Sequence, residues 1–184
     1  ALRNKCKRIS LGEYKTPTKR IDPVALLEKQ GKTRVPELVP IRYARMLTSP
    51  FAFLRGSAAI MAGDIAASGK NSGLIVQACG DMHVANFGVF SSAERNLVFG
   101  INDFDETLPG PWEWDLKRLV TSMVVSCRFL GGDDTLCHEA VRAAVSSYRK
   151  HLKKYAYMGY MELWYSTITE KDIIVAMPLS IQKG

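Results

Sequence analysis

Residues Leu74 to Leu119 read LIVQACGDMHVANFGVFSSAERNLVFGINDFDETLPGPWEWDLKRL, and the order of apolar and acidic positions along them decides the fold. An apolar run, Leu74 to Cys79, ends at Gly80-Asp81, and Asn86 follows five residues after Asp81. A second apolar run, Leu97 to Ile101, ends in a loop that carries Asp103 and Asp105. Runs this short, bounded by glycine and acidic residues, are strand patterns. The segment therefore predicts a strand, a polar loop, a short strand, a turn at Ser91 to Glu94, a further strand and an acidic loop, closed by a turn at Pro109-Gly110-Pro111. Two strand ends deliver Asp81, Asn86 and Asp103, three side chains competent to hold a cation.

Asp81 and Asn86 stand as D-x-x-x-x-N, the spacing of a phosphotransfer catalytic loop in which the Asp takes the acceptor hydroxyl proton and the Asn holds magnesium. Asp103 fits the second ligand, with Asp105 as its rival. Carboxylate and carbonyl oxygens suit magnesium, which binds few protein ligands and completes its shell with water and substrate phosphate oxygens. An isolated loop Asp ordinarily caps a turn, but Asp81, Asp103 and Asp105 gathered without a cation would repel one another. His83 reads as orienting the loop by hydrogen bonding rather than as a ligand. Arg55 and the pair Lys117-Arg118 either steady phosphates or salt-bridge these acids. Trp112 and Trp114 read as packing residues.

Nearly the whole chain resembles the N-terminal part of the bacterial domain of unknown function 2252 family. The strings that carry the resemblance are RVPELVPIRYARM at Arg34 to Met46, SPFAFLRG at Ser49 to Gly56, CGDMHVANFG at Cys79 to Gly88 and NDFDETLPGPWEWDLKRL at Asn102 to Leu119. More remotely, the order GD-x-H-x-x-N, an Asp at a strand end, and Asp-Leu opening a helix is similar to the aminoglycoside phosphotransferase branch of the protein-kinase-like superfamily. That resemblance implies Asp81 as catalytic base, Asn86 and Asp103 as metal ligands, and Asp115 as a structural acid bracing the loop. It also implies Mg2+ and ATP as cofactors. Two departures accompany it. Gly100 stands where an Asp is expected, and upstream of Asp81 there is neither a Gly-rich phosphate loop nor a strand lysine paired with a helix glutamate.

A chain of 184 residues suffices for one domain with a core, whereas a two-lobed phosphotransferase needs more. Members of the resembled family are longer, so the chain is read as a fragment whose Gly-rich and lysine segments are expected C-terminal to it, the rest of the same polypeptide being a partner. The net charge of +7 gathers partly in Arg3, Lys5, Lys7, Arg8, Lys15, Lys19 and Arg20. With no interleaved aromatic platform, residues 1–21 are expected to form a solvated basic arm, and nucleic acid is not expected as a partner. The four cysteines show no CxxC spacing, so neither a zinc site nor a disulfide framework is predicted. Apolar stretches fall short of the roughly 20 residues that span a bilayer, and no signal-peptide pattern opens the chain. The expectation is a cytoplasmic protein with no membrane partner.

Asp22-Pro23 pairs an N-cap with a first-turn proline and predicts a helix to about Gln30. The GKT at Gly31 to Thr33 is then no P-loop, since Leu26 occupies the place of the required glycine. Ser49-Pro50 repeats the signal ahead of FAFLRGSAAIMAGDIAAS, predicted as a helix that ends at Gly69 to Gly73. Trp114 to Phe129 forms the next helix, with Leu116, Leu119, Val120, Met123 and Val124 at helical spacing. Asp133 or Asp134 caps another that reaches about Tyr157, with Lys150, Lys153 and Lys154 near the C-terminal end favoured by the helix dipole. Tyr155, Tyr157, Tyr160, Trp164 and Tyr165 read as an amphipathic helix face.

The resulting expectation is an α+β, kinase-like catalytic subdomain over residues 22–184, a small strand set carrying acidic loops against a helical bundle. Its expected function is magnesium-dependent transfer of the γ-phosphoryl group of a nucleoside triphosphate to a hydroxyl of a small-molecule acceptor. Two alternatives stand beside it: a metal-dependent phosphoesterase, since carboxylates around cations also activate water, and a kinase-like scaffold that binds without catalysis.

Overall fold

The computed structural model describes residues 6–177. Arg3 and Lys5 of the basic arm and the apolar run after Met177 lie outside the described residues. In chain order the elements are α1 (Arg8–Leu11), α2 (Pro23–Gly31), α3 (Val39–Met46), α4 (Pro50–Gly56), α5 (Ala58–Ser68), β1 (Ile75–Ala78), β2 (Phe87–Ser91), β3 (Leu97–Ile101), β4 (Leu108–Pro111), α6 (Glu113–Phe129), α7 (Asp134–Tyr155), α8 (Tyr160–Trp164), β5 (Ile168–Thr169) and α9 (Glu170–Ala176). The architecture is mixed α+β, with nine α-helices and two small antiparallel sheets among the described residues. The chain divides into two compact units. One gathers the chain up to His83 with Phe104–Val141, the other Val84–Asp103 with the chain from Arg142 onward.

In the first unit, helix boundaries follow local chemistry. Asp22 accepts from the amides of Val24 and Ala25, and Pro23 occupies the first turn of α2. Ser49 accepts from the Ala52 amide ahead of α4. Gly69, at φ +65°, closes α5 in the left-handed conformation that glycine adopts without strain. The single helix predicted from Pro50 to Ser68 is two, α4 and α5, separated at Ser57 (φ −119°, ψ 31°). Tertiary contacts explain the break. The Arg42 guanidinium donates to the Gly56 carbonyl at 2.7 Å, and the Met46 side chain occupies the space a Cβ on Gly56 would need. A carbonyl taken by arginine and a backbone pressed against methionine favour ending the helix there.

The sheet of this unit pairs β1 with β4 in the register Ile75↔Pro111 to Ala78↔Leu108. Pro109-Gly110-Pro111, predicted as a closing turn, is thus part of a strand. The two prolines supply no N–H, a loss tolerated at the edge of a two-stranded sheet. Leu54, Met46, Ile65, Ala78 and Cys79 are buried with the wholly buried Ser122 of α6. In the described part of the basic arm, Arg20 makes two 2.7 Å hydrogen bonds to the Asp64 carboxylate on α5, and Glu13 accepts from Lys70 at 2.6 Å.

In the second unit, β2 and β3 form a hairpin in the register Phe87↔Ile101 to Ser91↔Leu97, and β5 adds to the far side of β3. The Phe87 and Phe99 rings stack across the hairpin with centroids 6.0 Å apart, a diagonal pair of the kind that stabilises register. Asp172 and Thr169 form a reciprocal capping box at the start of α9. The amphipathic face predicted at Tyr155 to Tyr165 is not continuous. α7 stops at Tyr155, α8 is a separate short helix, and Tyr157, Tyr160, Trp164 and Tyr165 are exposed. Gly159, extended at φ −65° and ψ 152°, interrupts the helical path. Among the described residues no helix is long and apolar enough to cross a membrane.

Candidate functional site

The loop after β1 begins with Gly80 at φ +88°. Two constraints select glycine there. A side chain strains this backbone conformation, and the Glu106 carbonyl occupies the space a Cβ would fill. Asp115, in the first turn of α6, accepts from the Cys79 amide at 2.7 Å and from the Gly80 amide at 3.0 Å. Two successive N–H groups on one carboxylate fix the direction in which the chain enters Asp81. Thr107 adds a further tie by donating to the Ala78 carbonyl at 2.7 Å.

Asp81 is 8 % exposed and is held by Arg118 of α6. Nε donates to Oδ1 at 2.8 Å and Nη2 lies 2.7 Å from the same oxygen. Nη2 also donates to the Leu54 carbonyl near the C-terminus of α4, while Nη1 approaches Met61 Sδ at 3.7 Å. One guanidinium therefore joins the Asp81 loop to two helices. Of the two readings of Arg118 in the sequence, the geometry realises the salt bridge. His83, 2 % exposed, directs Nε2 toward Asp81 Oδ2 at 3.7 Å and packs edge-on against Phe51. The side chain is thus part of the Asp81 surroundings, on the oxygen opposite Arg118.

Asn86 and Asp103 belong to the second unit. Asn86 ends a 3₁₀ turn at Val84–Asn86 and is buried; Asp103 is exposed. The hairpin places their backbones at one end: beyond the last pair, Phe87↔Ile101, the Asn102 amide donates to the Asn86 carbonyl at 3.1 Å. Gly88 makes room there, since a Cβ would lie 2.6 Å from Asn102 Nδ2. The partition of the strands into two sheets puts Asp81 in one unit and Asn86 with Asp103 in the other. Asp105, in the first unit, is exposed.

Among the described residues no three His, Cys, Asp or Glu side chains gather in a metal-holding group. The donors proposed at the hairpin end are hard oxygens, an Asn carbonyl and an Asp carboxylate, and a magnesium ion that keeps most of its water needs no more than such a pair. In their chemistry these residues fit that ion. Arg55, in the last turn of α4, is exposed to solvent, and Lys117 is half-buried on α6. Neither forms a salt bridge among the described residues.

Sequence reasoning passed over Glu113 and Arg42. Glu113, 3 % exposed, accepts from the Ser72 amide at 2.8 Å, and its Oε2 is buried with no hydrogen bond among the described residues. Its place in the first turn of α6 was the available signal, shared with any acid at a helix start. Arg42 had none, because its acceptor is a backbone carbonyl 14 residues away. Burial, and then the nearby Arg34, pull its guanidinium below the ordinary arginine range.

A family model described as "Uncharacterized protein conserved in bacteria (DUF2252)" matches residues 34–183, and the chain belongs to that family. No curated protein and no solved structure matches it.

Proposed function

We propose that this member of the family carries the catalytic-loop part of a magnesium-dependent phosphotransferase, which moves the γ-phosphoryl group of a nucleoside triphosphate to a hydroxyl of a small molecule. The observation that carries the reading is the hairpin end, where the Asn102 amide meets the Asn86 carbonyl, so that Asn86 and the residue before Asp103 leave the same end of the β2–β3 pair, in the chain order that follows Asp81. Asp81 is the proposed base, its carboxylate held through Oδ1 by Arg118 and taking the proton of the acceptor hydroxyl. Asp115 and Arg118 keep that carboxylate in place, and positioning of this kind accounts for most of what a protein contributes to phosphoryl transfer. Asn86 and Asp103, with Asp105 as the alternative carboxylate, would hold the cation. Magnesium, when bound, supplies charge neutralisation on the triphosphate oxygens.

The test is a contrast between two substitutions in the full-length protein, with ATP turnover measured over a panel of hydroxylated acceptors. Asp81→Asn is expected to lower turnover by about 10²–10⁴ while leaving magnesium–ATP affinity nearly intact. Asp103→Asn is expected to weaken that affinity as well as the rate. Equal loss of affinity in both variants moves the assignment toward a phosphoesterase. Full activity in Asp81→Asn ends the catalytic reading.

The burial and ion pairing of Asp81 favour one second reading, a kinase-like scaffold that binds without catalysis. There Asp81 is a structural acid, and Asp81→Asn lowers stability with no turnover to lose.

A further inference from the structure

A cavity of about 750 Å³ lies within the first unit, between the N-terminal segment from Leu11 to Thr16 and helices α4, α5 and α6. Its size falls in the range of small-molecule sites. The walls are largely apolar: Phe53 from α4, Ile60 and Ile65 from α5, Val120 and Val125 from α6. Five charged side chains also line it, and their pairing is uneven. Arg20 is neutralised by Asp64 on the same wall, Glu13 by Lys70, and Arg118 by Asp81. Lys117 alone among these five forms no ion pair within the described residues. An apolar chamber with one unmatched cation selects a ligand with an apolar body and one negative end, because any other ligand leaves either the surface or the charge uncompensated.

We infer that this cavity binds an amphipathic carboxylate of the fatty-acid class, its hydrocarbon chain against Phe53, Ile60 and Val125 and its carboxylate on Lys117 Nζ. The inference is independent of the phosphotransfer reading, since it uses neither Asn86 nor Asp103. Arg118 is shared by the cavity wall and the Asp81 loop, so an occupant packs against the residue that holds Asp81.

Isothermal titration of the chain with octanoate, decanoate and dodecanoate, below the concentrations at which they form micelles, tests the site together with decanol as a neutral probe. Each added methylene is expected to tighten binding about fourfold, the factor that about 0.8 kcal/mol per buried CH₂ implies. Lys117→Gln is expected to weaken decanoate about tenfold or more and to leave decanol unchanged. Lys117 is half-buried, so the variant folds; circular dichroism confirms it, and the chain-length series on the unaltered protein gives a readout that needs no variant. Absence of decanoate binding, an affinity that does not rise with chain length, or equal decanoate binding in the variant overturns the proposal.

Discussion

Replacing Arg118 by methionine removes a guanidinium that is buried on both sides of its contact. The side chains of Arg118 and Asp81 are 4 % and 11 % exposed, so water does not replace the lost partner as it would at a surface pair. The substitution strips Asp81 Oδ1 of its two guanidinium contacts and takes a donor from the Leu54 carbonyl. That carbonyl keeps the Ser57 amide at 3.1 Å and the Ser57 hydroxyl at 3.2 Å, so its loss is minor and the loss of the cation beside the buried Asp81 carboxylate dominates. Breaking a buried pair from one side costs about 3–5 kcal/mol. Asp81→Asn retains an acceptor oxygen for Nε and is expected to cost less, about 1–3 kcal/mol. The double variant Asp81→Asn, Arg118→Met then costs less than the sum of the two, by about 0.5–3 kcal/mol, because a neutral amide does not need the missing cation. Urea denaturation followed by far-UV circular dichroism, with all four proteins compared at fixed slope, measures the cycle. Additive losses, or Arg118→Met within about 0.5 kcal/mol of the unaltered protein, would show that the pair does not hold the loop.

Gly80→Ala is expected to destabilise by more than the roughly 1–2 kcal/mol that a left-handed conformation costs a non-glycine residue, since the Glu106 carbonyl must also move; thermal unfolding checks this against Gly69→Ala, where a Cβ meets nothing within 4 Å. Asp115→Ala is expected to free the Cys79 and Gly80 amides, and hydrogen exchange at those two amides should accelerate ahead of the amides of β1. The Thr169 side chain, then its backbone amide, hold the Asp172 carboxyl below its ordinary value. A depressed folded value means that the contribution is complete above the unfolded value of about 3.9 and fades as pH falls through the folded one. Protection of the Thr169 amide, its exchange relative to the intrinsic rate at the same pH, is therefore expected to fall only in that acid range, and unchanged protection there refutes the cap. Mutation of Asp172 to Asn should abolish the pH step.

Features that depend on neighbours along the chain are legible in the amino-acid sequence alone. Asp22-Pro23 and Ser49-Pro50 start helices because a side-chain oxygen satisfies the first amides and proline has none to leave unsatisfied. Leu97 to Ile101 is a strand with the predicted bounds, and the acid that opens a helix at Asp115 is visible in WEWDLKRL. What required tertiary structure depends on partners distant in sequence. Pro109-Gly110-Pro111 carries every local mark of a turn and becomes a strand because β1 offers it a partner. The helix from Pro50 divides at Ser57 because Arg42 and Met46 reach Gly56 from α3. Arg118 and Lys117 are adjacent and alike in the sequence and both line the cavity, yet one is buried on Asp81, 37 residues away, and the other has no counter-charge among the described residues. Successive helical positions point about 100° apart, so packing assigned the two cations to different surroundings, and a one-dimensional string of charges holds no record of that choice.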